Sequence, residues 1–273
     1  MTSALRPLGV AHFSWIDARP ADFVRAAAKV GFASVGLRLH PAFPGAPFYA
    51  VAPGSAEMRE TKTALRQDGI AVHDIEFVVI DGAFALQDLS SVLDSAAELG
   101  ARRLSVCGDD ADGGRFIDNV SALADRANAV GIGIDLEIMP WRRIGTLAAA
   151  RDAVAAAGRE DIGILVDALH LARSGGTPLD LIGLAPSLLR SVQICDAPAE
   201  RPADTAALIA EARGGRLHPG SGDLPLDDLL AAVPPEAMLS VEVPKGADAD
   251  GGGHLRALFE ATTALLRRAG AGA

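Results

Sequence analysis

The sequence predicts an α/β protein that folds as one closed (β/α)₈ TIM barrel, with residues 1–273 forming a single domain. Three observations support this fold class. Eight short β-rich runs alternate with alanine- and leucine-rich stretches of helical spacing, the runs are rich in Val, Ile and Leu, and no linker interrupts the alternation. An open doubly wound sheet is the alternative. In a closed barrel we expect the active site at the C-terminal ends of the strands.

The strands are predicted first, because their order decides which residues meet. Strands with Val, Ile and Leu on both of their faces are typical of parallel strands covered by helices, whereas half-exposed antiparallel strands alternate apolar and polar residues. The eight runs are LGVAHF from residue 8, SVGLRL from 34, AVHDIEFVVI from 71, RLSVCG from 103, IGIDLEI from 132, GILVDAL from 163, RSVQICDA from 190 and MLSVEVP from 238.

The helices between these strands carry recognisable start and stop signals. In PADFVRAAAKVGF, Pro20 and Asp22 favour a helix start, and Gly31 allows the left-handed conformation that ends a helix. Glycine also closes the segments ALRQDGI, AAELGA and RANAVGI just before the next strand. We therefore predict short connections from each of these helices to the following strand.

Composition and charge exclude several classes of protein. The formal net charge is -10 and no run of lysines and arginines is present, so a nucleic-acid surface is not expected. Cys107 and Cys195, the only two cysteines, lie in apolar runs without metal or redox spacing, which is typical of a reducing compartment. The N-terminus lacks signal-peptide features and no apolar run is long enough to span a bilayer. We expect a cytoplasmic protein without membrane partners.

Polar residues stand at the ends of four consecutive strands. Glu137 ends the fifth, Asp167 the sixth, Gln193 the seventh and Glu242 the eighth. Three carboxylates in one barrel mouth would raise one another's pKa values unless a cation neutralised them. Carboxylate and amide oxygens suit a hard divalent ion. The sequence therefore predicts a metal site with Mn²⁺ as the expected ion and Mg²⁺ or Co²⁺ as alternatives.

Five segments resemble a known family. LEIMPW, LVDALHLARSGG, VQICDAP, GRLHPGSGDLPL and LSVEVP are similar, in order and spacing, to the xylose isomerase-like TIM barrels usually labelled sugar phosphate isomerase/epimerase. The resemblance covers most of the chain and is most specific from about residue 130 to 244. It implies that the four metal ligands are Glu137, Asp167, Gln193 and Glu242, and that His170 contacts the substrate.

The same resemblance implies a reaction. It indicates a metal-dependent isomerase or epimerase of a sugar, sugar phosphate or sugar-like polyol, in which a proton next to a carbonyl is removed while the metal stabilises the enolate. Glu137 and Glu242 would act as acid/base groups as well as ligands. His170 would orient or protonate substrate oxygens.

One departure keeps a second reaction open. Ketose 3-epimerases of the family typically have histidine where this chain has Gln193, whereas the 3-dehydroshikimate dehydratase branch resembles this chain in having glutamine there, followed by a similar DAP and a PGxGxxxL loop. The alternative is therefore a lyase of the 3-dehydroshikimate or inosose dehydratase kind. The first two strand regions, AHFSWID and VGLRLHP, do not obviously match that branch.

Six further residues are candidates for substrate binding. Arg201 follows the seventh strand and would clamp a hydroxyl, carboxylate or phosphate, and Arg38 would meet a carboxylate. Trp141 would form an apolar wall, although simple packing is an equal alternative. His12 and Glu76 end the first and third strands, where ordinary polar rim residues are as common. The sixth candidate is His218, in RLHPGSGD, and Asp196 is expected to hold a ligand or loop in place.

Two other classes are weighed against these enzymes. A DNA-repair endonuclease on the same barrel would use more histidine ligands and a basic face, which the acidic balance disfavours. A barrel that binds a small molecule without turnover remains open. The expected partner is a small carbohydrate-like substrate. Barrels of this kind often form homodimers or homotetramers, and no helix face in the sequence identifies an interface.

Overall fold

The computed structural model describes residues 6–270 and confirms the predicted closed barrel of eight parallel strands. Neighbouring strands pair in chain order, and the eighth closes the barrel by pairing with the first through Gly9 and Ser240. All eight predicted runs form strands. Their bounds are β1 Leu8–Val10, β2 Ser34–Arg38, β3 Ala71–Ile80, β4 Arg103–Gly108, β5 Gly133–Glu137, β6 Ile162–Asp167, β7 Leu189–Ile194 and β8 Met238–Val241.

Helices surround the barrel and follow the predicted start and stop signals. The first begins at Pro20, buries Phe23 and Val24 against the sheet, and ends at Gly31 with a φ of 119°. The helices are α1 Pro20–Val30, α2 Ala56–Asp68, α3 Ser90–Glu98, α4 Gly113–Asn128, α5 Leu147–Ala157, α6 Ala168–Arg173, α7 Thr205–Ala210, α8 Leu226–Ala232 and α9 Gly251–Arg268. Within residues 6–270, no helix is long and apolar enough to cross a membrane.

The inside of the barrel is more polar than the sequence suggested. Ile134 and Leu136 of β5 are buried hydrophobic residues, while the alternating Asp135 and Glu137 are buried polar ones. Ser191 of β7 donates a hydrogen bond to Asp135, two strands away, so both side chains must lie inside the barrel. The expectation that both strand faces are apolar therefore holds for the helix-facing side only.

Two irregularities in β3 direct side chains toward the interior. Val35 pairs with Val72 but Gly36 pairs with Asp74, so His73 is an extra residue on β3. Further along, two residues of β3, Glu76 and Phe77, stand opposite one residue of β4. Bulges re-aim side chains, and here both Glu76 and Phe77 line the cavity at the barrel mouth.

Candidate active site

A cavity lies at the C-terminal ends of the strands, where the fold class predicts the active site. Its walls come from strand ends and the loops that follow them. Seven of the residues predicted from the sequence line this cavity: Arg38, Glu76, Glu137, Trp141, His170, Gln193 and Glu242.

The four predicted metal ligands converge around the cavity floor. Glu137, Gln193 and Glu242 line the cavity directly, and Gln193 Nε2 lies 3.5 Å from Glu242 Oε1. Asp167 is fully buried behind them, where its Oδ1 accepts a hydrogen bond from the backbone N–H of His170. The Oε1 atom of Gln193 is buried and has no hydrogen-bond partner among the described residues.

A buried arginine that the sequence reasoning missed joins this group. Arg216 Nη1 lies 2.5 Å from Asp167 Oδ2, and its Nη2 lies 2.9 Å from Glu242 Oε2. The same side chain donates from Nε to the carbonyl of Ala212. Arg216 therefore supplies one positive charge among three carboxylates, and it fixes the positions of two of them.

The protonation of the carboxylates reflects burial and mutual repulsion. Burial and the nearby Glu242 and Asp167 carboxylates raise the pKa of Glu137 well above its usual range. Burial raises the pKa of Glu242 to about 7, although Arg216 opposes this shift. Burial is the largest influence on Asp167 and acts to raise its pKa, but the charges and hydrogen bonds of Arg216 and His170 together outweigh it and hold that pKa below its usual range.

The oxygen donors fit a divalent cation in charge and in chemistry. Among residues 6–270, no three His, Cys, Asp or Glu side chains are placed as a metal-binding group; Arg216 engages Asp167 and Glu242, and the fourth predicted donor is an amide. Three carboxylates with one guanidinium leave two negative charges. The unpartnered Gln193 Oε1 adds a neutral oxygen donor of the kind hard cations use.

His170 lies between the carboxylates and the aromatic wall. Its Nε2 is 3.8 Å from Glu137 Oε1 and 3.5 Å from Arg216 Nη2, and its ring meets Trp141 edge-on at 5.1 Å. Burial lowers the pKa of His170 to about 4, so the ring is neutral at physiological pH. Since a guanidinium can only donate, Nε2 accepts and the proton belongs on Nδ1, a buried atom without a partner in the described chain.

Arg38 and Glu76 form the opposite wall. Arg38 Nη2 lies 3.2 Å from Glu76 Oε2, and the guanidinium carbon lies 4.4 Å from the centre of the Phe13 ring. Glu76 is already occupied, because its two oxygens accept the backbone N–H groups of His12 and Phe13. Its contribution in this structure is to hold Arg38 and the loop after β1 in place.

His12 is not brought to the cavity, contrary to the expectation from its position at the end of β1. Its ring is fully buried between Phe23 and Tyr49, with centroid separations of 4.7 and 5.4 Å. The ring nitrogens pair with the carbonyl of Ala18 and the backbone N–H of Arg38. His12 therefore packs the loop after β1 against α1, and it positions Arg38 through the backbone.

Arg201 and His218 also lie outside the main cavity. Arg201 donates from Nε to the carbonyl of Arg173 and lines a separate surface depression at the rim. His218 lines another depression with His254, where the two ring centroids are 5.4 Å apart. Contacts elsewhere in each loop hold these side chains away from the main cavity. Leu217, for example, pairs with Asp196 in an antiparallel bridge.

Asp196 holds the loop that carries Arg216 in place. This is one of the two roles expected for it from the sequence. Its carboxylate accepts the backbone N–H groups of Gly220, Gly222 and Leu224. A Cβ atom at Gly222 would lie only 2.6 Å from Asp196 Oδ1, so this close approach requires glycine. The PGSGDL segment is thereby fixed next to the site.

Several other cavity residues were not found from the sequence. They are Phe13, Phe43, Phe77, Ser105, Met139, Arg142, Arg213 and Arg216. Arg216 had a usable signal, because it lies in the quoted GRLHPGSGDLPL segment and three converging carboxylates require a cation. Phe77 had none, since only the bulge in β3 turns it inward.

Comparisons with known proteins agree with the fold and with the resemblance found in the sequence. A stretch of 146 residues, 51% of this chain, is 31% identical to a 3-dehydroshikimate dehydratase of Pseudomonas aeruginosa. It covers 22% of that protein, so the chain corresponds to only part of this curated relative. Two solved structures share the fold, at sequence identities that show the fold alone.

The first of these structures is a xylose isomerase-like TIM barrel/4-hydroxyphenylpyruvate dioxygenase fusion protein, with a TM-score of 0.82, 21% identity, and coverage of 97% of this chain and 44% of that one. The second is the IOLI protein with a binding zinc atom, with a TM-score of 0.78, 14% identity, and coverage of 96% and 98%. The sequence model of one family matches residues 24–267. The chain therefore belongs to the xylose isomerase-like TIM barrel family.

Proposed function

We propose that the protein is a divalent-metal-dependent lyase that removes a proton next to a carbonyl of a small polyhydroxylated ring bearing a carboxylate, and then eliminates water from that ring. The observation that carries this choice is Arg38. It is only 3% exposed, yet its Nε has no partner among residues 6–270. A buried guanidinium with an unused donor at a cavity wall favours an anionic ligand over a neutral sugar.

The surroundings of Arg38 favour a flat ring. Its guanidinium carbon lies 4.4 Å from the Phe13 ring centre and 5.5 Å from that of Phe77, so two aromatic faces flank it. Trp141 and Met139 continue the apolar lining toward Glu137. A carboxylate held at Arg38 would leave the ring itself between aromatic walls, with its polar edge toward the carboxylates.

The opposite side of the cavity supplies the acid/base groups. The ligands of a bound cation would be Glu137, Asp167, Gln193 and Glu242, and the cation would act as a Lewis acid toward an enolate oxygen. Glu137 is the expected base, because its oxygen lies beside neutral His170 and engages no arginine in the described structure. His170 would donate from Nδ1 to a substrate oxygen, which would satisfy that buried atom.

The sequence relative supports the same choice. The stretch that is 31% identical to a 3-dehydroshikimate dehydratase covers half of this chain, and the named substrate of that relative is a carboxylated ring. Gln193, the neutral donor of the set, also matches the glutamine that the 3-dehydroshikimate dehydratase branch has at this position. The proposal concerns this chain, whose matching stretch covers 22% of that protein.

The test is a substrate screen with Mn²⁺-loaded protein on 3-dehydroshikimate, inososes and keto sugars. We expect a conjugated, ultraviolet-absorbing product from 3-dehydroshikimate. Arg38→Gln should lower kcat/KM by about 10–100-fold, the worth of one charge-assisted hydrogen bond. The matched control is Arg256→Gln, an exposed arginine on α9. Turnover of neutral sugars that is insensitive to Arg38→Gln would contradict the anionic substrate.

A metal-dependent sugar isomerase or epimerase is the second candidate. It is favoured by two carboxylates, Glu137 on β5 and Glu242 after β8, that line one cavity and both have raised pKa values. An acid and a base on two sides of one carbon suit epimerisation. A ketose whose C3 hydrogen exchanges in deuterated buffer, without release of water, would select this reaction over the lyase.

A further inference from the structure

Beneath the cavity, the middle of the barrel contains polar side chains where barrels of this fold usually place branched apolar residues. They are buried, and two of them are carboxylates. Ser105 Oγ donates to Asp74 Oδ2 at 3.1 Å, and Ser191 Oγ donates to Asp135 Oδ2 at 2.5 Å. Such a layer is costly to bury, so it calls for an account beyond packing.

The two buried aspartates have different partners. Asp135 is neutralised by Arg103, whose Nε lies 2.9 Å from Asp135 Oδ1. Asp74 has no arginine, lysine or histidine partner among residues 6–270, and its only side-chain donor is the hydroxyl of Ser105. Burial, together with the charges of Asp135 and Glu242, raises the pKa of Asp74 to about 7. Asp74 therefore carries a proton in a substantial fraction of molecules at neutral pH.

Ser105 connects Asp74 to the reaction cavity, because it is the one member of this hydrogen-bonded pair that lines the cavity wall. The direction of the hydrogen bond depends on the proton. When Asp74 is ionised, the Ser105 hydroxyl must donate to it. When Asp74 is protonated, its own O–H can donate to Ser105 Oγ, and the serine hydrogen becomes free to point at a ligand.

We propose that Asp74 and Ser105 form a proton relay from the centre of the barrel to the floor of the cavity. The relay rests on the proposed lyase reaction. Ser105 gives its hydrogen to the departing hydroxyl of the substrate and takes the proton of Asp74. The carbon–oxygen bond breaks with its electron pair on oxygen, so water leaves and Asp74 becomes a carboxylate. The proton removed from carbon stays on Glu137, and both carboxyl groups return to their starting states by exchange with solvent.

The local backbone accommodates this arrangement. A Cβ atom at Gly36 would lie 2.5 Å from Glu76 Oε1 and 2.8 Å from Asp74 Oδ1, so the glycine leaves room for both carboxylates. Several other ionisable groups lie near Asp74 or near its charged neighbours. They are His73 and Glu76 on its own strand, Arg38 on β2, Arg103 on β4, Asp135 on β5 and Glu242 after β8.

The first test detects the proton itself and does not depend on turnover. Infrared spectra of the metal-free protein should show carbonyl bands of buried protonated carboxyl groups, to which Asp74 contributes one and Glu76, Glu137 and Glu242 can contribute others. In difference spectra against the parent protein, we expect one band to disappear in Asp74→Asn and the same band to shift in Ser105→Ala, which removes the hydrogen-bond partner of Asp74. A spectrum in which neither variant changes any protonated-carboxyl band would overturn the relay, whatever substrate the protein uses.

The second test is a double-mutant cycle on the substrate that the screen identifies. Asp74→Asn and Ser105→Ala should each lower kcat about 100-fold, the lower end for acid catalysis, and the double variant should be no slower than the slower single one. Asp74→Asn should also remove one ionisation from the pH profile of kcat. Multiplying effects or an unchanged profile would contradict the relay.

Ser240→Ala, which removes a buried serine from β8, is the control and should keep full activity. If Asp74→Asn fails to fold, the band shift in Ser105→Ala decides the question. If no compound is turned over, the proposed reaction is wrong, and the infrared spectra still decide whether Asp74 carries a proton.

Discussion

Arg216 Nη2 lies 2.9 Å from Glu242 Oε2, inside a barrel mouth where Glu242 was predicted as a metal ligand and an acid/base group. The same guanidinium engages Asp167, so one arginine holds two of the four predicted donors. A buried cation in this position balances part of the carboxylate charge before any metal arrives. Loss of either partner would leave an uncompensated buried charge.

Removing this guanidinium should destabilise the metal-free protein strongly. We expect Arg216→Met to lower the free energy of unfolding by about 3–5 kcal/mol, because the buried carboxylates of Asp167 and Glu242 lose the arginine that pairs with them. Mn²⁺ should restore more stability to this variant than to the parent protein. Thermal denaturation with and without chelator measures both effects, with Arg256→Met as the control. Equal stability of Arg216→Met and the control would contradict this reading of the site.

The predicted donors should determine metal content. Purified protein should hold one divalent ion per chain after Mn²⁺ loading, and Glu137→Ala or Glu242→Gln should remove it. Gln193→Ala should weaken affinity by at least the roughly 10–100-fold that changes around metal ligands cost. Elemental analysis and calorimetric titration give these values. Protein that binds no ion after Mn²⁺ addition would remove the basis of both enzymatic proposals.

Metal-free protein should lose stability as pH rises from 6.5 to 8. Asp74, Glu76 and Glu242 have pKa values raised to about 7, so in this range the folded state still holds protons that the unfolded state has lost. His12, His73 and His170 have pKa values lowered to about 4, so below pH 6.5 they favour folding as pH rises and oppose the carboxyl groups, and stability should change less there.

Bound Mn²⁺ should reduce the alkaline decline, because a cation favours the ionised form of its ligand Glu242. Melting temperatures measured from pH 5 to 8, with Mn²⁺ and with chelator, test this contrast. A loss of about 5 °C between pH 6.5 and 8 in chelator is expected from a change of a few kcal/mol. A melting temperature that rises with pH in chelator would show that these carboxylates are already ionised.

The loop that carries Arg216 should depend on Asp196. Asp196→Ala leaves the N–H groups of Gly220, Gly222 and Leu224 without their acceptor and should cost about 1–3 kcal/mol of stability. Because Arg216 sits on this loop, KM should rise as well. Asp196→Asn keeps one acceptor oxygen and should be milder in both respects. Urea denaturation and steady-state kinetics compare the two, and identical behaviour would argue against the carboxylate as the anchor.

The sequence alone determined the barrel and half of its site. Periodic apolar runs and helix-ending glycines depend on local geometry, so all eight strands were predictable from residue order. Residues at the ends of consecutive strands must meet at one face, which is why Glu137, Gln193 and Glu242 were placed together correctly. These inferences require only strand order and direction.

Tertiary structure decided what bulges, loops and buried charges do. The bulges of β3 turn His73 and Phe77 inward, and no local pattern encodes them. His12 packs in the core, where its ring nitrogens pair with backbone groups, and does not reach the cavity. His218 and Arg201 lie on loops that place them outside the cavity. In the GRLHPGSGDLPL segment, the residue that lines the cavity is Arg216 and not the predicted His218. Its place follows from long-range charge balance, which depends on distances that only the folded chain sets.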